Sequence, residues 1–182
     1  MKTKISIEQY REKLSKVSEI EFARLAAYID GEGCITISTS PARGKKAITR
    51  NHNMVITVTN TSPLLFGWLL KTFGGVARPA NNNTLPCWRW IVSEIHSEEI
   101  LRRCLPYFVI KEQQAKIGIA FREIKKWKYQ ECHNRPITAE MLAERDEMYW
   151  RMRTLNSGKG FNREFKISKT VDGQVNISEK VS

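Results

Sequence analysis

The stretch Leu25-Ala-Ala-Tyr-Ile-Asp-Gly-Glu-Gly33, followed at once by Cys34-Ile-Thr-Ile-Ser-Thr-Ser40, decides the fold. Just before it, Ser18 and Glu21 have the S-x-x-E spacing of a capping box, with Val17 and Phe22 at the hydrophobic-staple positions. A helix therefore starts near Ser18. Phe22, Leu25 and Ile29 then recur at i, i+3 and i+7, which is a core stripe. Ala23, Ala27 and Gly31 form a second face of small residues at spacing four, which lets another backbone approach closely. After Gly33 the period changes to two: Ile35 and Ile37 alternate with Thr36, Ser38 and Ser40, a strand with one face buried. The junction between the two periods is Asp30-Gly31-Glu32-Gly33. Negative charge opposes the helix dipole at that end. Residues that break local rules in this way are often functional. A divalent cation bridging Glu32 and a phosphate would reverse the penalty, since hard oxygen ligands suit Mg²⁺.

Working outward, charge is the next signal. The 182 residues contain 30 Lys and Arg against 19 Asp and Glu, a net charge of +11. A surplus of that size in a small chain points to a polyanionic partner. It is also unevenly placed. From Cys34 to Ser93 there is no Asp or Glu, while Arg43, Lys45, Lys46, Arg50, Lys71, Arg78 and Arg89 all fall inside the window. Within it, Asn53 to Asn60 alternates Met54, Ile56 and Val58 with Val55, Thr57 and Thr59, a second strand. Val76–Ala80 and Cys87–Ser93 form a second pair around Asn81, Asn82, Asn83 and Thr84, with Trp88 and Trp90 on the core face and Arg89 and Ile91 on the other.

Helices separate these pairs. Ser62-Pro63 starts one, which Gly74-Gly75 closes. Glu94 to Leu105 stops at Pro106, and Glu112 to Tyr129 is longer, with Ile117, Phe121 and Ile124 inward. Thr138 to Leu155 offers Met141, Leu142, Met148 and Met152 for packing. Beyond it Asp172-Gly173 signals a turn of a short hairpin. Cys34, Cys87, Cys104 and Cys132 have no metal-ligand spacing and read as reduced. His52, His96 and His133 read as structural or surface residues. No run is apolar enough for a membrane span, and Met1–Glu12 lacks a secretory pattern. The reading is an intracellular protein, in a cytoplasm-like or organellar compartment with access to DNA.

The nonapeptide closely resembles the LAGLIDADG motif of homing endonucleases, matching it at Leu25, Ala26, Ile29, Asp30 and Gly33. It departs at Ala27, Tyr28, Gly31 and Glu32, the last keeping the carboxylate. The order helix, hairpin, helix, hairpin, helix over Glu19–Tyr129 is similar to that family's αββαββα arrangement. Leu105-Pro-Tyr-Phe-Val-Ile-Lys-Glu-Gln-Gln-Ala115 resembles its segment bearing an active-site lysine. The resemblance implies an α+β fold, an antiparallel sheet with helices on one face, plus a C-terminal helical extension. The expected division is residues 1–17 as an N-terminal helical extension, 18–130 as the endonuclease core, and 131–182 as a C-terminal helix and tail.

By the same resemblance, Glu32 and the Gly31 carbonyl are metal ligands, and Glu32, Lys111 and Asn60 are catalytic. Mg²⁺ is the implied cofactor, with Mn²⁺ able to substitute and Ca²⁺ binding without cleavage. Asp30 is assigned helix-end hydrogen bonding instead of metal ligation. The expected DNA contacts from the first pair of strands are Thr36, Ser38, Ser40, Asn53, Thr57 and Thr59. From its connection they are Arg43, Lys45, Lys46 and Arg50, mainly to phosphates. From the second pair they are Arg78, Arg89, Ile91, Asn81, Asn82 and Asn83, with the two arginines reading bases. A single motif implies an intron-encoded homodimer packed through Ala23, Ala27 and Gly31, cutting a long, partly palindromic duplex site. The alternative is a cleavage-inactive nucleic-acid-binding protein, such as an intron RNA maturase or a DNA-binding regulator.

Overall fold

A computed structural model of the chain describes residues 5–41, 50–80, 86–131, 138–158, 165–169 and 175–179. Helix α1 (Ile7–Ser15) leads into α2 (Glu19–Glu32), β1 (Gly33–Pro41) and β2 (Arg50–Asn60). Then come α3 (Pro63–Phe73), β3 (Val76–Ala80), β4 (Cys87–Ser93), α4 (Ile95–Cys104) and a 3₁₀ turn (Leu105–Tyr107). Helices α5 (Glu112–Glu131) and α6 (Ala139–Asn156) follow, then β5 (Phe165–Lys169) and β6 (Val175–Glu179). The main sheet is antiparallel in the order β1-β2-β4-β3, and β5 and β6 pair separately. The expected α+β architecture is what the chain adopts. Arg43, Lys45, Lys46, Asn81, Asn82, Asn83, His133 and the Asp172-Gly173 turn lie outside the described residues.

Alternation in the strands sorts the sheet into two faces. Ile35, Ile37, Met54, Ile56, Val58, Trp90 and Val92 are buried and join one cluster with Phe22, Leu25, Ala26 and Ile29 of α2. The same cluster takes in Tyr10 and Leu14 of α1 and Met152 of α6. The Tyr10 hydroxyl donates to the Phe73 carbonyl at 2.8 Å. The opposite face carries the Thr, Ser, Asn and Arg positions of the same strands and is left open.

Several local expectations need correction. Ser18 Oγ accepts from the Glu21 amide at 3.4 Å, but Glu21 does not close the capping box. Its carboxylate instead takes the Trp68 indole N–H at 2.6 Å, a tertiary contact that outbids the local one. The complete capping box is in α1, between Ser6 and Gln9. Trp88 shares strand phase with the buried Trp90 but is 41% exposed. Its partner in the register is Asn60, at the very end of β2, where the covering helices have run out. On α5 the buried line is Gln114, Ala115, Gly118, Ile119, Phe121 and Arg122, so Ile117 and Ile124 are flanking residues and not the centre of the face.

A buried polar group ties α5 and α6 under β2. Lys125 Nζ donates to the His52 carbonyl at 2.9 Å and meets Glu94 Oε1 at 2.8 Å. Glu94 also pairs with Arg122. Burial pushes the Lys125 ammonium below its ordinary pKa, against the opposing pull of Glu94. The His52 ring, fully buried, meets Asp146 of α6 at 2.9 Å. His96 lies against the Tyr10 ring at 4.3 Å, so both described histidines are structural as read.

The two glycines of the helix–strand junction differ. A Cβ on Gly33 would sit 2.6 Å from the Ile29 Cα and 3.0 Å from the Thr57 carbonyl oxygen, both backbone. A Cβ on Gly31 would meet nothing within 4 Å. Gly33→Ala should therefore cost about 1–3 kcal/mol through forced backbone shifts. Gly31→Ala should leave the isolated chain as stable or up to ~1 kcal/mol more stable, by helix propensity. Urea denaturation of the two variants side by side checks this.

Candidate active site and nucleic-acid face

The end of α2 brings the predicted site residues together. Glu32 is its last residue and is exposed; Gly31 beside it is also exposed. Asn60, the last residue of β2, donates its Nδ2 to Glu32 Oε2. Its Oδ1 accepts from the Ser62 amide at 2.7 Å, so the amide is held at both ends and aims the carboxylate. Ser62 thus works through its main chain, and its side chain makes no cap for α3. Lys111, at the start of α5, donates its Nζ to the Asp30 carbonyl.

Asp30 itself is 8% exposed, and its carboxylate accepts from the amides of Val109 at 2.7 Å, Ile110 at 3.2 Å and Lys111 at 2.9 Å. The assignment of Asp30 to helix-end hydrogen bonding agrees with this geometry, though the bonds run to the approach to α5 and not to its own helix. Cys34 lies near enough to Lys111 to feel its charge. Burial of the thiol outweighs that pull and holds its pKa above the usual value.

Four residues beside the site escaped the sequence reading. Arg24, Tyr28 and Trp68 line a cleft of about 380 Å³ together with Glu32, Asn60 and Ser62. Ile20, 72% exposed, lies one turn before Ala23 on the open face of α2. Its spacing to Ala23, Ala27 and Gly31 was the available signal. Trp68 offered none, because its contact with Glu21 joins residues 47 apart in sequence.

Among the described residues no three His, Cys, Asp or Glu side chains gather to hold a metal. One exposed carboxylate with a neighbouring backbone carbonyl does suit Mg²⁺, which keeps several waters and takes one or two carboxylates plus phosphate oxygens. Glu32 and Gly31 fit that mode of binding.

On the open face of the sheet, Thr36, Ser38, Thr57, Thr59, Arg89 and Ile91 lie in outward phase, partly or fully exposed; Asn53 shares their phase, but its side-chain amide is engaged by Lys125 Nζ of α5 at 3.3 Å. Ser40 and Arg78 are exposed as well. The register sets Thr57 beside Ile91, Thr59 beside Arg89, and Arg89 beside Arg78. Arg89 Nε donates to Thr59 Oγ1 at 3.4 Å. Arg50 is paired with Pro41 in the ladder. Among the described residues neither Arg78 nor Arg89 has a carboxylate within ion-pair distance.

The sequence matches no family model and no curated protein. Solved structures do match. The homing endonuclease I-CvuI superposes with a TM-score of 0.60 at 23% identity, over 75% of this chain and 82% of that one. The archaeal intron-encoded homing endonuclease I-Vdi141I gives a TM-score of 0.60 at 10% identity, over 75% of this chain and 84% of that one. The LAGLIDADG homing endonuclease I-LtrWI gives a TM-score of 0.55 at 19% identity; 78% of this chain covers 46% of that one. All three were solved with DNA. The structural neighbours of this chain are LAGLIDADG homing endonucleases, and it has their fold.

Arginines directly opposite on one sheet face repel. Arg78→Thr should therefore leave the DNA-free protein unharmed or stabilise it by up to ~0.5 kcal/mol, an effect that shrinks with added salt. Urea melts at low and high salt read the difference.

Proposed function

We propose that the protein is a site-specific DNA endonuclease that hydrolyses phosphodiester bonds of duplex DNA. The observation that carries this reading is that the end of α2 gathers Glu32, held by Asn60, and Lys111, held by the Asp30 carbonyl, at the edge of a sheet face without acids. Glu32 and the Gly31 carbonyl are the residues that would hold Mg²⁺; when bound, the ion supplies Lewis acidity toward the phosphate. Asn60 aims Glu32. Lys111 offsets negative charge on the phosphate oxygens as it grows in the transition state. The open face of the sheet enters the major groove, where side chains distinguish all base pairs. Arg78 and Arg89 are its base readers, and being adjacent in the register they address neighbouring bases.

Two cuts need two sites, and each chain carries one. We infer a homodimer in which Ala23, Ala27 and Gly31, joined by Ile20, meet their symmetry mates along α2. Ile20, Ala27 and Gly31 are exposed, Ala23 is half-buried, and none of them belongs to the core cluster, which leaves the face accessible to a second copy. No helix among the described residues is long and apolar enough to cross a membrane.

The test is incubation with a duplex that joins the two sequences flanking its coding element, with Mg²⁺. Specific double-strand cleavage is the expected result. Specific binding without cleavage would favour the maturase or regulator reading instead. Glu32→Gln should keep DNA binding and reduce cleavage by about 10²-fold or more, since a metal Lewis acid is worth several kcal/mol. A gel assay on the same duplex checks both. Ala27→Leu should leave the chain folded, because the residue is exposed, and should shift the protein toward monomer in sedimentation velocity.

A further inference from the structure

We infer that Asp30 is the positioning residue of the reaction: it grips Lys111 twice, by main chain and by side chain, and so holds the cation at the end of α2, two residues before Glu32. The inference rests on the endonuclease reading for the reaction that Lys111 serves. Its basis is that two helix ends meet at Asp30, each lacking what the other has.

The amides that lead into a helix have no partner in it, and neither do the carbonyls at its end. At α5, the first turn closes from the Ala115 amide to the Lys111 carbonyl at 2.9 Å, so Lys111 is the residue from which the helix springs. The three amides ahead of that turn, those of Val109, Ile110 and Lys111, all point at the Asp30 carboxylate. At α2, the Asp30 carbonyl is one of the terminal oxygens, and it accepts from Lys111 Nζ. The carboxylate therefore stands at the wrong end of α2 and the right end of α5. That resolves the electrostatic oddity of an acid at this position.

The residue types follow from this geometry. Three donors converge on two oxygens, so an amide in place of the carboxylate would turn its own N–H groups toward one of them. An ammonium has three donors; with one on the Asp30 carbonyl, two remain for phosphate oxygens. Phe108 anchors the start of this loop in the main cluster, but Val109 and Ile110, 89% and 58% exposed, have no packing of their own to place them. The loop before α5 is tethered by its amides. Glu32 lies two residues beyond Asp30 on the same helix, so the spacing of cation and carboxylate is set by a rigid turn and not by a free loop. Asp30, buried, acts through Lys111.

The test has one arm that needs no DNA. Reductive methylation of the full-length protein, resolved by residue, should modify Lys111 several-fold more slowly than the exposed Lys71, and Asp30→Asn should bring Lys111 to the rate of Lys71. The second arm is cleavage of the flanking-sequence duplex with Mg²⁺. Asp30→Asn should lower kcat about 10–100-fold, as loss of an orienting partner does, with KM for DNA nearly unchanged. Added to Lys111→Ala, it should cost nothing more. Methylation of wild-type Lys111 at the rate of Lys71 would overturn the proposal, as would losses that multiply in the double variant. If Asp30→Asn fails to fold by circular dichroism, Asp30→Ser, which keeps an acceptor, replaces it, and the wild-type methylation arm stands regardless. If the wild-type protein binds its duplex and cuts nothing, the endonuclease reading falls and Asp30's role in it, while methylation still scores the grip on Lys111.

Discussion

A single buried carboxylate, Asp30, joins the two halves of the structure at the point where chemistry is proposed to occur. By accepting the amides of Val109, Ile110 and Lys111 it binds the approach to α5 to the last turn of α2. That turn in turn starts β1 through Gly33, pressed against the Ile29 backbone too closely for any side chain. From these two contacts follow the direction of α5, the start of the sheet and the place of Glu32. A charge this buried is tolerated only because every oxygen is paired with good geometry. Removing either partner leaves an uncompensated group and loosens the loop before α5 with it.

The remaining charges are arranged by the same economy of partners. Acids of the described chain pair with cations on the helical side: Glu94 with Arg122 and Lys125, Glu98 with Arg102, Glu99 with Arg11. The open face of the sheet is left with arginines that face each other across β3 and β4. Such a face is mildly unfavourable alone and strongly favourable against phosphates, whose counterions it releases. The packing that holds the fold is thereby located under the sheet and the face proposed to meet DNA above it, so that face can vary in sequence without disturbing the cluster.

Helices α1 and α6 show how the parts flanking the motif-bearing region are attached. Helix α1 enters the main cluster through Tyr10 and Leu14, and Arg103 reaches its Leu14 carbonyl at 3.1 Å. Helix α6 lies along the edge strand β1, where Asn156 Nδ2 donates to the Ile35 carbonyl at 2.9 Å. An exposed strand edge invites pairing with other chains, and this contact occupies one of its carbonyls. The His52–Asp146 bond holds the middle of α6.

What the sequence determined by itself was everything that depends on neighbours a few residues apart. The switch from period 3.6 to period 2 at Gly33, the alternation in β1, β2 and β4, the Pro63 start and Gly74 stop of α3, and the acid-free window are all local patterns. They were enough to read the order of helices and hairpins and to single out Glu32, while Asn60 and Lys111 came from the resemblance of their segments to the LAGLIDADG family. Only the tertiary structure decided which local signal would be overruled. Glu21 abandoned its capping box for Trp68, because a half-buried indole N–H needs an acceptor more than an exposed helix end does. Trp88 lost its burial because strand phase says which face a residue takes, but not where the covering helices end. Asp30 looked like an acid at the wrong end of a helix. Its partners are 79 to 81 residues away, and no periodicity reaches that far. The energy of a pair depends on distance in space, and the sequence records only distance along the chain.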